Sequence, residues 1–438
     1  MTREQILKKK IRKNISSIYK LRDNDKKFVP GKSWVQYSGS YFDDREVNEA
    51  VDAYINGWFG LGKKGQKMEN KMAHYLGMKG SVLTNSGSSA SLLSIASLTS
   101  PMSPFRLQPG DEIITAACGF PTTVNPIIQY GLVPVFLDVD PETLNINPKD
   151  LEKALSKKTR AVFVAHTLGN PNDIDGIMKF CKKHNLIFIE DNCDALGSTW
   201  NGKRTGGFGT LSTLSFYPAH HMTIGEGGMV SYNDVRFERI IKSFRDWGRS
   251  CWCRGDDRTM EGACGVRFNY KVGGLPYDHK YMFNHIGYNL KPIEPQAAFG
   301  LEQIKRVPFF VKKRKENFKR LASHTKRWGT YFTFAKALPK ADPSWFAFPM
   351  TIRKGVPFTR HDITLFLEKH KIQTRPVFAG NILRQPAYFH IKHRKVGSFI
   401  NADHILHNTF FVGVYPGLGK SQIDYMAEKI ETFLKKYE

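Results

Sequence analysis

Two adjacent histidines occupy a turn in Ser215-Phe-Tyr-Pro-Ala-His-His-Met-Thr-Ile-Gly-Glu-Gly-Gly-Met229, between a short apolar run that breaks at Pro218 and a glycine cluster at Gly225, Gly227 and Gly228. No lysine lies between Lys203 and Lys242, so a base on this turn is the imidazole of His220 or His221, a group that exchanges protons near neutral pH. Asp191 closes the apolar run 186–190, where a carboxylate costs desolvation unless it meets a positive partner; its ordinary alternative is a helix N-cap. Asn85-Ser-Gly-Ser-Ser89 leads straight into a predicted helix. Its small residues let backbone approach a phosphate and its first N–H groups favour an anion, although a plain Ser/Gly cap looks the same. Phe120, in Gly119-Phe-Pro-Thr122, would stack on a flat ring or simply fill core, and Ser215 presents a hydroxyl at a strand end. Cys251, Cys253 and Cys264 share one loop, and Cys193 follows Asp191 by two residues. Three cysteines so close suggest a metal site, yet Cys-x-Cys is neither the usual zinc pair nor a plant-type ferredoxin run. Spacing alone leaves the metal undetermined and independent free thiols as the alternative.

Composition bounds the rest. With 438 residues and 41% hydrophobic content, the chain can bury a large core and is expected to form two domains of a globular protein. No apolar run approaches the ~20 residues that span a bilayer. Residues 1–13 are charged and lack the apolar middle of a signal peptide, so no membrane and a cytoplasmic location are expected. The formal charge of +25 invites nucleic acid, but the basic residues are scattered and no nucleic-acid module is visible. Solubility, and steering of an anionic ligand or an acidic partner, account for it. Six cysteines without a secretory signal do not make a disulfide framework; Cys118 and Cys181 lie in apolar stretches and read as core.

The elements that must position these groups follow from periodicity. Residues 1–40 form an N-terminal arm with a basic helix over 4–21, packed on the body or on a second subunit. Helical periodicity covers 43–78. From about 80, strands (81–84, 111–115, 133–137, 161–165, 186–190, 211–216) alternate with helices (88–98, 122–130, 148–156, 175–184). That rhythm specifies an α/β fold with a mostly parallel central sheet flanked by helices, which binds ligands at the carboxyl ends of its strands. A long helix over 294–325, interrupted near Pro308, leads to a strand at 346–352 and helices at 361–370 and 421–437. The expected division is a large domain over 41–310, with the cysteine loop at about 245–285, and a smaller C-terminal α+β domain over 311–438.

The order of glycine-serine turn, aromatic, strand-end aspartate and Ser215 on parallel strands resembles the fold-type-I pyridoxal-phosphate enzymes, and more narrowly the nucleotide-sugar aminotransferase family. Pro109-Gly-Asp-Glu-Ile-Ile, Phe120-Pro-Thr-Thr, Pro134-Val-Phe-Leu-Asp-Val-Asp, Ile189-Glu-Asp-Asn-Cys-Asp-Ala-Leu-Gly197, Gly225-Glu-Gly-Gly and Gly287-Tyr-Asn289 carry the likeness, over roughly residues 40 to 438. In that family the lysine that holds the cofactor falls where His220 stands. Imidazole cannot tether the aldehyde, so the resemblance implies that the cofactor comes as pyridoxamine 5'-phosphate, condenses with a ketone of the substrate, and relies on His220 as the base of a dehydration. Phe216-Tyr-Pro-Ala-His-His, Asp246-Trp-Gly-Arg, Tyr277-Asp-His-Lys-Tyr281 and Gly413-Val-Tyr-Pro-Gly-Leu418, with the cysteines, are similar to the family's iron–sulfur 3-dehydratases of 3,6-dideoxyhexose and O-antigen biosynthesis.

This closer resemblance implies C3 dehydration of CDP-4-dehydro-6-deoxyglucose. It implies a 2Fe-2S cluster on Cys193, Cys251, Cys253 and Cys264, fed by an NAD(P)H-dependent iron–sulfur flavin reductase, and a homodimer. Gly87, Ser88 and Ser215 would bind the cofactor phosphate, Phe120 would cover the ring, and Asp191 would pair with the ring nitrogen. Asn289 would reach the neighbouring subunit's cofactor phosphate, while Asp194 and Tyr217 line the pocket without an assigned role. Lys291-Pro-Ile-Glu-Pro295 departs from the family, many of whose members have an arginine-containing helix start there, which puts inherited nucleotide contacts in question. Two alternatives stand beside this reading: a dehydratase of the same cofactor class without electron transfer, and an inactive binding protein on the same fold.

Overall fold

Alternating buried strands and amphipathic helices build one eight-stranded sheet in the computed structural model, which describes residues 1–25, 27–251 and 265–438. Across the sheet the strands run Gly80–Thr84, Gly228–Tyr232, Leu211–Ser215, Ile187–Asp191, Thr159–Ala165, Glu112–Ala116, Val133–Leu137 and Arg394–Val396. Seven point the same way; Gly228–Tyr232 is antiparallel to both neighbours. Glu112–Ala116, Val133–Leu137, Ile187–Asp191 and Leu211–Ser215 are buried at every position, as parallel strands covered on both faces must be. The helix Gly87–Thr99 is buried along most of its length, which its serines and alanines permit without leaving voids. The carboxyl ends Thr84, Ala165, Asp191 and Ser215 therefore come out on one edge, and the loops that follow them meet there.

The C-terminal part has its own antiparallel sheet of Phe332–Phe334, Ala347–Ile352 and Thr409–Gly413. Its core gathers Trp328, Phe332, Phe348, Phe410, Met426 and Ile430, and takes in Val35 from the arm. Arg394–Val396 was not expected as a strand, because Arg-Lys-Val has no alternation of apolar and polar residues. It is recruited to the sheet edge by backbone pairing with Val133–Leu137 and by the ion pair of Arg394 with Glu112 at 2.8 Å.

Three expectations shift in detail. The long helix, Glu294–Ala322, runs through Pro308 without a break. Proline removes only one donor, and Val307 and Phe310 beside it are each 1% exposed in the core, so packing holds the helix together. The predicted helix over 148–156 is a 3-10 turn, Pro148–Asp150, followed by the short Leu151–Ala154. The basic arm helix extends over Arg3–Asp25 and docks on Asp44–Ile55 through Arg12 to Glu49 and Asp52, and Tyr19 edge-on to Phe42. No helix among the described residues is long and apolar enough to cross a membrane.

Glu294 joins two helix starts. Its buried carboxylate accepts from the backbone N–H groups of Gly62 (2.7 Å), Lys64 (2.5 Å) and Gly65 (3.1 Å) at the beginning of Lys63–Leu76. Glu294→Ala leaves these buried donors without their acceptor and is expected to lower unfolding stability by about 3 kcal/mol, with Glu294→Gln losing about a third as much, as measured by denaturant titration.

Candidate functional site

A cavity of about 490 Å³ opens at the carboxyl edge of the sheet. Gly87, Ser88, Phe120, Asp191, Cys193, Ser215 and His220 all line it, as do Asp194 and Tyr217. At the start of Gly87–Thr99, the Ser86 hydroxyl oxygen accepts from Ser89 N–H at 3.0 Å, and Ser89 Oγ donates to Asn85 Oδ1 at 2.6 Å. The first-turn amides of Gly87 and Ser88 have no acceptor within the helix, and both residues line the cavity beside Ser215. A Cβ on Gly87 would sit 2.5 Å from the Cβ of Ser215, so only glycine allows this approach. Amides, a hydroxyl and a helix N-terminus converging in this way form a cradle for a phosphate.

Asp191 is 4% exposed. Thr123 Oγ1 donates to one carboxylate oxygen at 2.6 Å; Cys193 N–H and Thr213 Oγ1 donate to the other at 3.2 and 3.3 Å. These donors are neutral and no cation among the described residues pairs with the buried carboxylate, which suits a protonated ring nitrogen. Phe120 is 48% exposed at the mouth, edge-on to Phe378 at 6.0 Å between ring centres. Phosphate cradle, unpaired carboxylate and aromatic wall together fit a pyridoxamine-type cofactor.

The two histidines part company. His220 faces the cavity, with Nδ1 3.2 Å from Asp194 Oδ1, close enough for a charge contact but out of line for a hydrogen bond. His221 turns inward, its Nε2–H donating to the carbonyl of Ser344 at 2.7 Å. Burial, reinforced by the nearby Arg314 charge, pushes its pKa well below the ordinary value, so it is neutral. Arg314 is itself fully buried and donates to the carbonyls of His220 (3.3 Å) and Phe346 (2.9 Å); burial pulls it down to about 9, against the partly compensating charge of Asp194. Arg314 therefore fixes the main chain of the His220 turn from beneath. Arg314, Tyr37 and Arg375 were not singled out from sequence, since they come from segments far from the motifs and no local pattern marks them; Glu226 lies inside the quoted Gly225-Glu-Gly-Gly motif but was given no role.

Asn289 is exposed, bridged to Asp246, and does not line this chain's cavity. Cys193 lies half-buried on the cavity wall, where desolvation and then the charges of Asp191 and Asp194 raise its thiol well above the usual range. Cys251 is partly buried, and Cys253 and Cys264 lie outside the described residues. Among the described residues no three His, Cys, Asp or Glu side chains are grouped to hold a metal. Cys118 and Cys181 are core residues as expected, each pushed up to about 12 by burial.

The inward histidine has a consequence for stability. Its folded pKa lies below that of the unfolded chain, so its contribution is whole above about pH 6.5 and drains away as pH falls. From pH 7 to 5 the wild type is expected to lose more stability than His221→Asn, read from denaturant midpoints at each pH.

Comparison with known proteins agrees with this geometry. The lipopolysaccharide biosynthesis protein RfbH of Salmonella typhimurium is 46% identical over 412 residues, 93% of each chain. A dTDP-4-dehydro-2,6-dideoxy-D-glucose 3-dehydratase of Saccharopolyspora spinosa is 45% identical over 412 residues, covering 93% of this chain and 88% of its own. Among solved structures, an E. coli GDP-4-keto-6-deoxy-D-mannose-3-dehydratase with bound hydrated PLP superposes with a TM-score of 0.81 at 30% identity, over 90% of this chain and 98% of that one. The fold is thus the fold-type-I architecture. The model of the DegT/DnrJ/EryC1/StrS aminotransferase family matches residues 41–431. On sequence, fold and extent of match alike, this chain belongs to the DegT/DnrJ/EryC1/StrS aminotransferase family.

Proposed function

We propose that the protein is a pyridoxamine-phosphate-dependent 3-dehydratase of a nucleotide-linked 4-keto-deoxyhexose. The observation that carries this reading is His220: it faces the cavity beside the phosphate cradle and Asp191, on a turn without lysine. Gly87, Ser88 and Ser215 hold the cofactor phosphate, Asp191 keeps the ring nitrogen protonated, and Phe120 covers the ring. When bound, the cofactor supplies an amine for the substrate ketone and an electron-withdrawing ring. His220 would take the proton whose removal starts the elimination and return it to the departing hydroxyl, which leaves as water. The Asp194 carboxylate, 3.2 Å from Nδ1, stabilises the imidazolium that results, and Arg314 keeps the turn from moving as the charge forms.

The substrate class is supported by the relatives, two of which are 3-dehydratases of dTDP- and GDP-linked keto sugars. CDP-4-dehydro-6-deoxyglucose is our candidate within it. We further propose, on the resemblance to the family's iron–sulfur 3-dehydratases, a 2Fe-2S cluster on Cys193, Cys251, Cys253 and Cys264 with electrons from a flavin reductase, and a homodimer in which Asn289 serves the other subunit's site. The division into an arm (1–40), a large domain (41–310) and a small domain (311–438) belongs to the same proposal. A second reading is dehydration by the same cofactor class completed without electron transfer; the four cysteines count against it.

Titration of the full-length protein with pyridoxamine 5'-phosphate is expected to perturb the cofactor's absorption spectrum saturably. His220→Asn should retain binding and lose at least about a hundredfold in water elimination, followed as release of solvent-exchanged oxygen. Equal activity of His220→Asn and wild type would refute the assignment. Iron and sulfide assays separate the two readings. About two of each per chain, lost in Cys251→Ser together with deoxy-sugar formation, supports the cluster; full product formation by Cys251→Ser without iron supports the second reading.

A further inference from the structure

The cavity has a charge imbalance that points to a second anion subsite. Its lining includes three carboxylates, Asp191, Asp194 and Glu226, while Arg375 is the only lysine or arginine among the described residues that line it. A substrate bearing two phosphates would meet these carboxylates with little to offset them. The helix N-terminus at Gly87–Ser88 offers one anion cradle, and in the function proposed above the cofactor phosphate already fills it.

Arg375 stands where a second one is needed. Its backbone is fixed by reciprocal bonds with Phe411, Arg375 N–H to Phe411 O at 3.2 Å and Phe411 N–H to Arg375 O at 2.8 Å. Its guanidinium carbon lies 4.5 Å above the ring of Tyr37, another cavity residue, and Nη1 donates to the carbonyl of Thr374 at 2.6 Å. The nearest carboxylate, Glu368, is 3.9 Å away, at the outer limit of an ion pair. Nε and Nη2 have no hydrogen-bond acceptor among the described residues, and the side chain is 45% exposed. A planar fork, oriented by an aromatic ring and with N–H groups to spare, matches two phosphate oxygens.

We propose that Arg375, stacked on Tyr37, binds the diphosphate of the nucleotide-sugar substrate, so that the C-terminal segment 374–376 and the arm together recognise the nucleotide end while the main sheet holds the cofactor. This inference rests on the nucleotide-sugar reading above.

Calorimetric titration of the full-length protein loaded with pyridoxamine 5'-phosphate tests it, using CDP, GDP, UDP and dTDP and the matching nucleosides. In the wild type the preferred nucleoside diphosphate is expected to bind at least about tenfold tighter than its nucleoside. Arg375→Gln should erase that preference with the cofactor spectrum and melting temperature unchanged, and Arg375→Lys should keep part of it. Undiminished preference in Arg375→Gln overturns the inference and leaves the cofactor reading standing, as does a wild type that does not prefer the diphosphate. Failure of the wild type to bind pyridoxamine 5'-phosphate overturns the proposed function itself, and this inference with it.

Discussion

The close approach of two glycines to their neighbours is the constraint on which the site depends. A side chain on Gly87 would strike Ser215, and one on Gly228 would come within 2.2 Å of the Ser86 carbonyl oxygen. Without side chains at both positions, the turn after Gly80–Thr84 lies directly against the end of Leu211–Ser215 and the start of Gly228–Tyr232. The antiparallel strand Gly228–Tyr232 can then slot between two parallel ones, and the loop 216–227 is forced to return over the same edge. Helix N-terminus, Ser215 and His220 therefore share one small space. Everything the pocket can do chemically follows from that coincidence.

Around this interlock the charges are sorted by burial. Among the described residues Asp191 meets neutral donors only, Arg314 donates to backbone carbonyls while its Nε finds no acceptor, and His221 is held neutral, so the cavity floor is short of counter-ions. Buried charges without partners cost free energy, and a ligand of complementary charge recovers part of it on binding. His220 differs from its neighbour because it faces the cavity next to a carboxylate while His221 faces protein. The exterior has the opposite balance: a net charge of +25 draws anions towards a pocket whose own lining is rich in carboxylates. Long-range attraction and local recognition are thus assigned to different residues.

Much of the fold could be read in the chain. Short apolar runs and amphipathic stretches of period 3.6 gave the order of strands and helices because each buries its apolar positions in the core. The exceptions are instructive. Arg394–Val396 carries no pattern of its own and is a strand only because an open sheet edge and Glu112 receive it. Pro308 looked like a break, yet a helix packed against Asp44–Ile55 and Lys63–Leu76 tolerates one missing donor.

The site divides in the same way. Strand ends, turns and their order along the chain offered the candidates, and the family resemblance assigned roles to Gly87, Ser88, Phe120, Asp191, Ser215 and His220; parallel strands deliver such ends and the loops after them to one edge. The sequence by itself therefore determined the elements, their order and the absence of lysine on the key turn. Only the tertiary structure decided which of two adjacent histidines faces the cavity, that Arg314 lies beneath the turn, and that Arg375 and Tyr37 stack together in the lining of the same cavity. The physical reason is distance along the chain: periodicity reports what a residue does within its own element, whereas a pocket is made by side chains brought together from separate elements by packing.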